Sequence, residues 1–231
     1  MDIKKALGVQ AVDQFVQDGM RVGLGTGSTA IWAVRRVAAR LSEGSLHGIR
    51  AVVTSLQTEL EARQLGIPIF TLNDAAIEST LDLTIDGADE IDPAYNLIKG
   101  GGGALLLEKI IAYASRRLLI IAGESKLNAR LGTLFPIPVE VVADAIAPVS
   151  RRIREMGGEA SLRMGVRKAG PVVTDLGNLL LDVTFRSAID ARRMEDDLKV
   201  IPGVLENGLF TKNRPELLIG RSEGHIDYMK I

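Results

Sequence analysis

Apolar side chains recur along residues 2–18 at Ile3, Ala6, Leu7, Val9, Ala11, Val12, Phe15 and Val16, mostly at the three-to-four spacing of one helical face. The spacing predicts an amphipathic helix that stops at Gly19. Residues 20–24 read as a short buried strand and about 29–41 as the next helix. The rhythm repeats with a strand at 49–53, a helix over 56–65 capped by Ser55 or Thr54 and ended by Gly66, and a strand beginning at Pro68, Ile69 and Phe70. The run Leu81, Leu83, Ile85 is a further strand, and 96–98 a short extended piece. A helix over 104–114 follows, apolar nearly all round apart from Glu108 and Lys109, and then an apolar strand over 118–122. Strands alternating with helices predict an α/β fold, a Rossmann-like and mainly parallel sheet with right-handed crossovers and helices on both faces.

From Pro136 the rhythm changes. Residues 139–142 are strand-like, 149–156 helical, 160–164 and 179–185 strand-like, 191–199 helical and 204–210 partly extended, with Asp175, Leu176, Gly177 and Asn178 marking a hairpin turn. This β-α-β-β-α-β order predicts an inserted ferredoxin-like α+β small domain at 134–210. The catalytic α/β domain is then 1–133 and 211–231, with the last strands, including 216–219, returning to it. No repeat or low-complexity segment is visible.

Composition narrows the function. With 46% apolar residues in 231, the chain can bury a real core. Its 28 basic and 29 acidic residues leave a net charge of -1, so no basic field points to nucleic acid or an anionic membrane, and a small-molecule partner is expected. The absence of cysteine excludes disulfides and thiolate metal sites, and His47 and His225 are the only imidazoles, which argues against a zinc enzyme. Asp2 and Asp13 fall where a signal sequence needs apolar residues, and no apolar run is long enough to span a bilayer, so a cytoplasmic protein is expected.

Parallel sheets of this kind bind ligands in loops beyond the carboxyl ends of their strands. At one such end, Gly25-Thr26-Gly27-Ser28-Thr29 joins a strand to a helix, and its backbone N–H groups, hydroxyls and helix N-terminus form a phosphate cradle. The plain alternative is a tight strand-to-helix turn. A dinucleotide fingerprint fails because its third glycine would fall on Ser28 or Ala30, no Walker lysine is present, and Thr54-Ser55 replaces the acid expected to hold a ribose. Asp86, Asp89, Glu90 and Asp92 could form a solvated acidic turn, but Asp86 directly ends a strand that should be buried, and Gly87 lets the backbone turn beneath a ligand. Their spacing does not fit a calcium loop. Lys99 precedes four glycines, Gly100 to Gly103, an unusually close or mobile backbone segment. Glu108 shares a face with Ala104, Leu105, Ile111 and Ala112, so it is either satisfied by a nearby cation or cap, or a general base whose pKa is raised by partial desolvation. Lys126, beyond the strand at 118–122, joins Lys99 as a candidate anion contact by position.

GTGSTA at 25–30, DGADEID at 86–92, IKGGGGALLLEKI at 98–110, ESKL at 124–127 and FPIPVEV at 135–141, with PGV at Pro202 and GLF at Gly208, together resemble the type A ribose-5-phosphate isomerase family, collinearly over nearly the full length. The resemblance implies interconversion of D-ribose 5-phosphate and D-ribulose 5-phosphate in the pentose phosphate pathway, through an enediolate and without metal or organic cofactor. It also implies a homodimer or homotetramer. Residue by residue, it implies substrate binding at Thr26, Gly27, Ser28 and Thr29, at Asp86, Gly87, Ala88 and Asp89, at Lys99, Gly100, Gly101 and Gly102, and at Lys126. Glu108 matches the proton-abstracting base, with Asp86, Asp89 and Lys99 as the other catalytic groups, and Lys4, beside Lys5, matches a lysine near the family's N-terminus. One departure is the run Leu105, Leu106, Leu107, which gives Glu108 greasier neighbours. The competing classes are an isomerase of another aldose phosphate, a sugar-phosphate sensing domain and a nicotinamide dehydrogenase. The sensor is disfavoured because the Gly25 loop follows a single helix, leaving no room for a helix-turn-helix before it, and the dehydrogenase by the failed fingerprint.

Overall fold

The structure, a computed structural model that describes residues 2–230, opens on α1 (Ile3–Phe15), whose N-cap Asp2 accepts the Lys4 and Lys5 amides at 3.0 and 3.4 Å. There follow β1 (Arg21–Leu24), α2 (Ala30–Ser42), β2 (Arg50–Val53), α3 (Leu56–Gln64), β3 (Leu83–Asp86), β4 (Glu90–Ile91), β5 (Leu97–Ile98), α4 (Leu105–Tyr113) and β6 (Leu118–Gly123). The second half adds β7 (Ile137–Val141), α5 (Ile146–Glu155), β8 (Gly158–Leu162), β9 (Leu179–Phe185), α6 (Ala191–Lys199), β10 (Val204–Asn207), β11 (Leu209–Phe210), β12 (Glu216–Gly220) and β13 (Ile226–Met229). Two compact units result. One takes residues up to Ala88, Leu107–Lys126 and those from Asn213 onward, and the other takes Asp89–Leu106 and Leu127–Lys212.

The first unit is built on a six-stranded sheet of order β13-β12-β6-β3-β1-β2. All neighbours are parallel except the β12–β13 hairpin. Alternation along the strands sends Val22, Leu24, Leu83, Ile85, Leu119 and Ile121 to one face, where they meet Leu7 and Ala11 of α1 and Val34 and Val37 of α2. On the other face Ile111 of α4 packs with Val52, Ile77 and Leu81. Helices therefore cover both faces, as the alternating pattern predicts. Gly23 makes the α4 approach possible, since a Cβ there would lie 1.9 Å from Thr84 Oγ1 and 2.9 Å from Ile111 Cγ2.

The second unit carries the four-stranded antiparallel sheet β10-β7-β9-β8, with α5 leaving β7 and α6 leaving β9. Numbered within the unit, that order is 4-1-3-2, the ferredoxin-like arrangement expected. Val139, Val141, Val149, Ile153, Leu181, Val183 and Leu198 form its core. A short sheet β11-β5-β4 ties residues 209–210 to the acidic and lysine-glycine loops. The segment 134–210 lies wholly in this unit, which also takes 89–106, 127–133 and 211–212.

Pro68, Ile69 and Phe70 do not start a strand. Ile69 makes one parallel bridge to Ala51, and the chain then turns away at Thr71, whose amide and hydroxyl both donate to Asp74, at 2.6 and 3.0 Å. Among the described residues no helix is long and apolar enough to cross a membrane.

At the amino end of β12, Glu216 accepts a two-pronged pair of hydrogen bonds from Arg117, both 2.8 Å, and another from the Tyr228 hydroxyl. Lys230 stands 3.5 Å away, and the Arg117 guanidinium lies 5.4 Å from the Phe15 ring centroid. The Arg117 bonds, helped by Tyr228, hold the buried Glu216 carboxyl down to about 2. A carboxyl depressed on folding contributes stability that is present above its unfolded pKa and lost as pH falls through the folded value. Glu216→Gln should therefore lower unfolding stability at neutral pH by roughly 2–4 kcal/mol, with the difference from the wild-type protein shrinking between about pH 4.5 and pH 2. Denaturant titrations across that range check it, and a difference that does not change with pH would contradict the assignment.

Candidate functional site

In the first unit, the carboxyl ends of β1, β2, β3 and β6 carry the candidate groups. Asp86 is the last residue of β3 and only 1% exposed. Its Oδ1 accepts the amides of Thr26 at 3.1 Å and Gly87 at 2.7 Å, and a Cβ on Gly25 would lie 2.1 Å from that oxygen. Two backbone donors thus offset part of the cost of burying the charge. At Gly27 φ is +106°, a conformation that favours glycine, and the chain enters α2 there as Ile31 N donates to Gly27 O at 3.1 Å. Thr29 is the N-cap residue but its hydroxyl makes no capping bond, so the first-turn amides of α2 are not taken up by it.

Lys4 Nζ donates to Ser28 Oγ at 3.0 Å, whereas Lys5 Nζ lies 5.6 Å from the Trp32 ring centroid. Adjacent helical residues point about 100° apart, so only one of the two lysines can serve the loop, and it is Lys4. Behind the loop, the Thr26 hydroxyl meets those of Thr54 at 2.7 Å, Ser55 at 2.6 Å and Thr58 at 3.1 Å, and Thr58 donates to Gly25 O at 3.0 Å. Ser55 also caps α3 by accepting Thr58 N at 3.2 Å, which decides between the two predicted caps. Thr54, Ser55 and Thr58 are supports that motif reading passes over, although Thr54-Ser55 at the end of β2 is a local signal for them.

Glu108 is 4% exposed on the first turn of α4. The far end of this helix is tied to the amino end of the β3 segment, through Leu81 N to Ala114 O and Arg116 N to Leu81 O, both 2.9 Å. The helix therefore runs against the strands, and Ile111, one turn after Glu108, rests on Gly23. Glu108 is displaced from there toward the same strand ends that hold Asp86 and the Gly25 loop. Lys126 closes the turn Glu124–Lys126 after β6, where Glu124 accepts Ser222 N at 2.8 Å and is thereby held below its ordinary pKa, with Arg221 assisting.

In the second unit, Asp89 donates its amide to Ile98 O at 2.8 Å and accepts Gly101 N on Oδ2 at 2.7 Å. Lys99 is buried, its amide donating to Gly208 O at 2.9 Å and its ammonium 5.6 Å from the Phe210 ring centroid. The loop then turns tightly, Gly103 N donating to Gly100 O at 3.0 Å, with φ of +97° at Gly100 and +82° at Gly103, while Gly101 and Gly102 are exposed. The acids of this stretch are not a solvated turn. Glu90 is buried and accepts Gly132 N at 2.7 Å, Leu134 N at 3.1 Å and the Asn128 side chain. Asp92 accepts the amides of Ala94 and Asn96, both at 2.9 Å. Among the described residues no group of three or more His, Asp or Glu side chains is arranged to hold a metal ion.

Direct contacts thus join Lys4 to Ser28, Thr26 and Gly87 to Asp86, and Asp89 to Gly101. Residues 50–224 match the family model described as ribose 5-phosphate isomerase A (phosphoriboisomerase A). The ribose-5-phosphate isomerase A of Treponema denticola is 47% identical over 97% of both chains, and that of Thermosynechococcus vestitus 48% identical over 94% of this chain and 91% of its own. The ribose 5-phosphate isomerase A structure from Methanocaldococcus jannaschii superposes with a TM-score of 0.92 at 43% identity, covering 100% of this chain and 99% of that one. A D-ribose-5-phosphate isomerase in complex with phospho-erythronic acid gives 0.94 at 38% identity, covering 100% and 98%. The chain belongs to the ribose 5-phosphate isomerase A family.

Proposed function

We propose that this protein interconverts D-ribose 5-phosphate and D-ribulose 5-phosphate, as a cytoplasmic enzyme of the pentose phosphate pathway, with Glu108 as general base. The observation that carries the reading is a buried carboxylate, Glu108, on the first turn of an apolar helix, at the end of that helix nearer the strand ends that bear the glycine-hydroxyl loop. Aldose-to-ketose conversion removes the proton at C2, and the electron pair left behind moves onto the C1 carbonyl oxygen, giving an enediolate with its charge on O1 and its proton on O2. The carbon-bound proton is then returned to C1 as the O2 hydroxyl proton passes to O1, leaving the C2 carbonyl. One carboxylate can take and return the carbon-bound proton, and its low exposure limits loss of that proton to water.

The Gly25 loop supplies donors for the phosphate: amides at Gly27, Ser28 and Thr29, the Ser28 and Thr29 hydroxyls and the Lys4 ammonium, with Thr26 holding the loop on Asp86. Binding energy gathered on the non-reacting phosphate orients C1 and C2. Asp86, with Gly87 and Ala88, and Asp89 are assigned to the sugar hydroxyls, Lys99 to the developing oxyanion, and the Gly100, Gly101 and Gly102 backbone to the close approach of the substrate beside it. Lys126 adds positive charge for an anionic substrate. Supporting a sugar phosphate and an enediolate is the ligand named for the related complex, since a phosphorylated aldonic acid offers a planar anionic carboxylate where an enediolate has its two oxygens.

Purified protein should convert ribose 5-phosphate to ribulose 5-phosphate with a chelator present. Glu108→Gln should lower kcat at least about a hundredfold with KM little changed, and a variant that turns over normally removes Glu108 from the role. Replacing Ser28 and Thr29 together by alanine should chiefly raise KM, by roughly tenfold or more, because charge-assisted hydrogen bonds to a phosphate are lost. An unchanged substrate-concentration curve would take the phosphate away from this loop. A homodimer or homotetramer is also proposed, motivated by exposed apolar side chains of the second unit at Met164, Val166 and Val173. Sedimentation at micromolar concentration should show it, and a monomer there would rule it out.

A further inference from the structure

Arg163, in the turn that follows β8, reaches the lysine-glycine loop. Its Nη1 donates to the carbonyl oxygens of Gly100 at 3.0 Å and Gly101 at 3.2 Å. The other edge of the guanidinium is held by Asp182 of β9, through Nε to Oδ2 at 2.9 Å and a short bond from Nη2 to Oδ1. The Arg163 side chain is only 14% exposed. Its backbone is pinned as well, the amide donating to Leu180 O and the carbonyl accepting Val172 N, both at 2.9 Å. A planar fork of five N–H donors can satisfy a carboxylate along one edge and two carbonyls with another nitrogen, which an ammonium on a flexible stem cannot do in one fixed geometry.

The contact sets direction. In a trans peptide the carbonyl and the following N–H point opposite ways. Holding the Gly100 and Gly101 carbonyls on Arg163 therefore turns the Gly101 and Gly102 amides to the other side, where Gly101 N meets Asp89 Oδ2 at 2.7 Å. Four consecutive glycines impose almost no backbone preference of their own, so the direction of these amides has to come from outside the run. Arg163 on one side and Asp89 on the other supply it.

We propose that Arg163, oriented by Asp182, is a positioning residue for the isomerisation: it fixes the Gly100–Gly101 backbone so that the Gly101 amide stays on Asp89 while Lys99 and the Gly102 amide are presented in one arrangement. This rests on the reading of the 99–102 loop as part of a ribose 5-phosphate isomerase site. The test compares wild-type protein, Arg163→Lys, Arg163→Ala and Lys99→Ala in steady-state conversion of ribose 5-phosphate, with thermal unfolding and amide hydrogen exchange on each. Both Arg163 variants should lose on the order of 10- to 100-fold in kcat with a much smaller change in KM, since misplacing a catalytic group by about 1 Å costs that much. Exchange at residues 101–103 should quicken while that of β7 and β9 stays slow, and added guanidinium ion at millimolar concentration should restore part of the Arg163→Ala turnover but none of that lost in Lys99→Ala. If Arg163→Ala does not fold, Arg163→Lys carries the test. Arg163 variants with wild-type kcat and loop exchange, beside a crippled Lys99→Ala, overturn the positioning role and leave the functional reading standing. Wild-type protein that does not isomerise, or an undiminished Lys99→Ala, overturns both.

Discussion

Asp86 can sit buried at the end of β3 only because β1 offers no side chain where its carboxylate lies. A Cβ on Gly25 would come within 2.1 Å of Asp86 Oδ1, and two residues earlier a Cβ on Gly23 would come within 1.9 Å of Thr84 Oγ1. The pleat places Gly23 and Gly25 on one face of the sheet and Thr84 and Asp86 beside them. That face is consequently thin along β1, so α4 descends onto it until Ile111 touches Gly23. The height of α4 in turn decides where Glu108, one turn earlier, is carried. A missing pair of Cβ atoms thus underlies both the position of one buried carboxylate and the approach of the helix that bears the other.

Loops at the strand ends owe their shape to polar side chains distant in sequence. Thr26 is seated among Thr54, Ser55 and Thr58, the 128–134 segment hangs on Glu90, and the glycine run is gripped by Asp89 and Arg163. Each of these supports joins a side chain to backbone or hydroxyl groups that would otherwise need water. Such networks favour one conformation strongly because any alternative leaves buried polar atoms unsatisfied. Glycine-rich segments can therefore approach a ligand closely without being loose.

The architecture was legible where periodicity and element order speak for themselves. The helical spacing from Ile3 to Val16 became α1, strand-helix alternation became a parallel sheet, and the β-α-β-β-α-β order after Pro136 became the antiparallel sheet of order β10-β7-β9-β8. Local pattern failed where local and tertiary forces part. Pro68 to Phe70 look like the start of a strand, yet an Asp74 turn stops them after one bridge, and β4 at Glu90 and Ile91 is too short to register as a period. Asp86 stands out in the sequence because it ends a buried strand, but Asp89, Glu90 and Asp92 could be read as solvent-facing charge because sequence does not show the amides that donate to them. Arg163 gave no signal at all, since its partners at Gly100 and Gly101 lie some sixty residues away.

The β12 pairing has a consequence for biosynthesis. This strand lies beside β6 in register from Glu216 with Leu119 to Gly220 with Gly123, although residues 127–212, which belong to the second unit, lie between the two strands along the chain. Every residue assigned to the chemistry, from Lys4 to Lys126, leaves the ribosome well before the strand β12 that pairs with β6. Until then β6 presents an open, apolar edge, while the second unit already possesses its own core residues and can consolidate first. The returning segment is in this sense a seal: a nascent chain halted short of it would hold Asp86 and the Gly25 loop on an unfinished sheet, exposed to pairing with another strand.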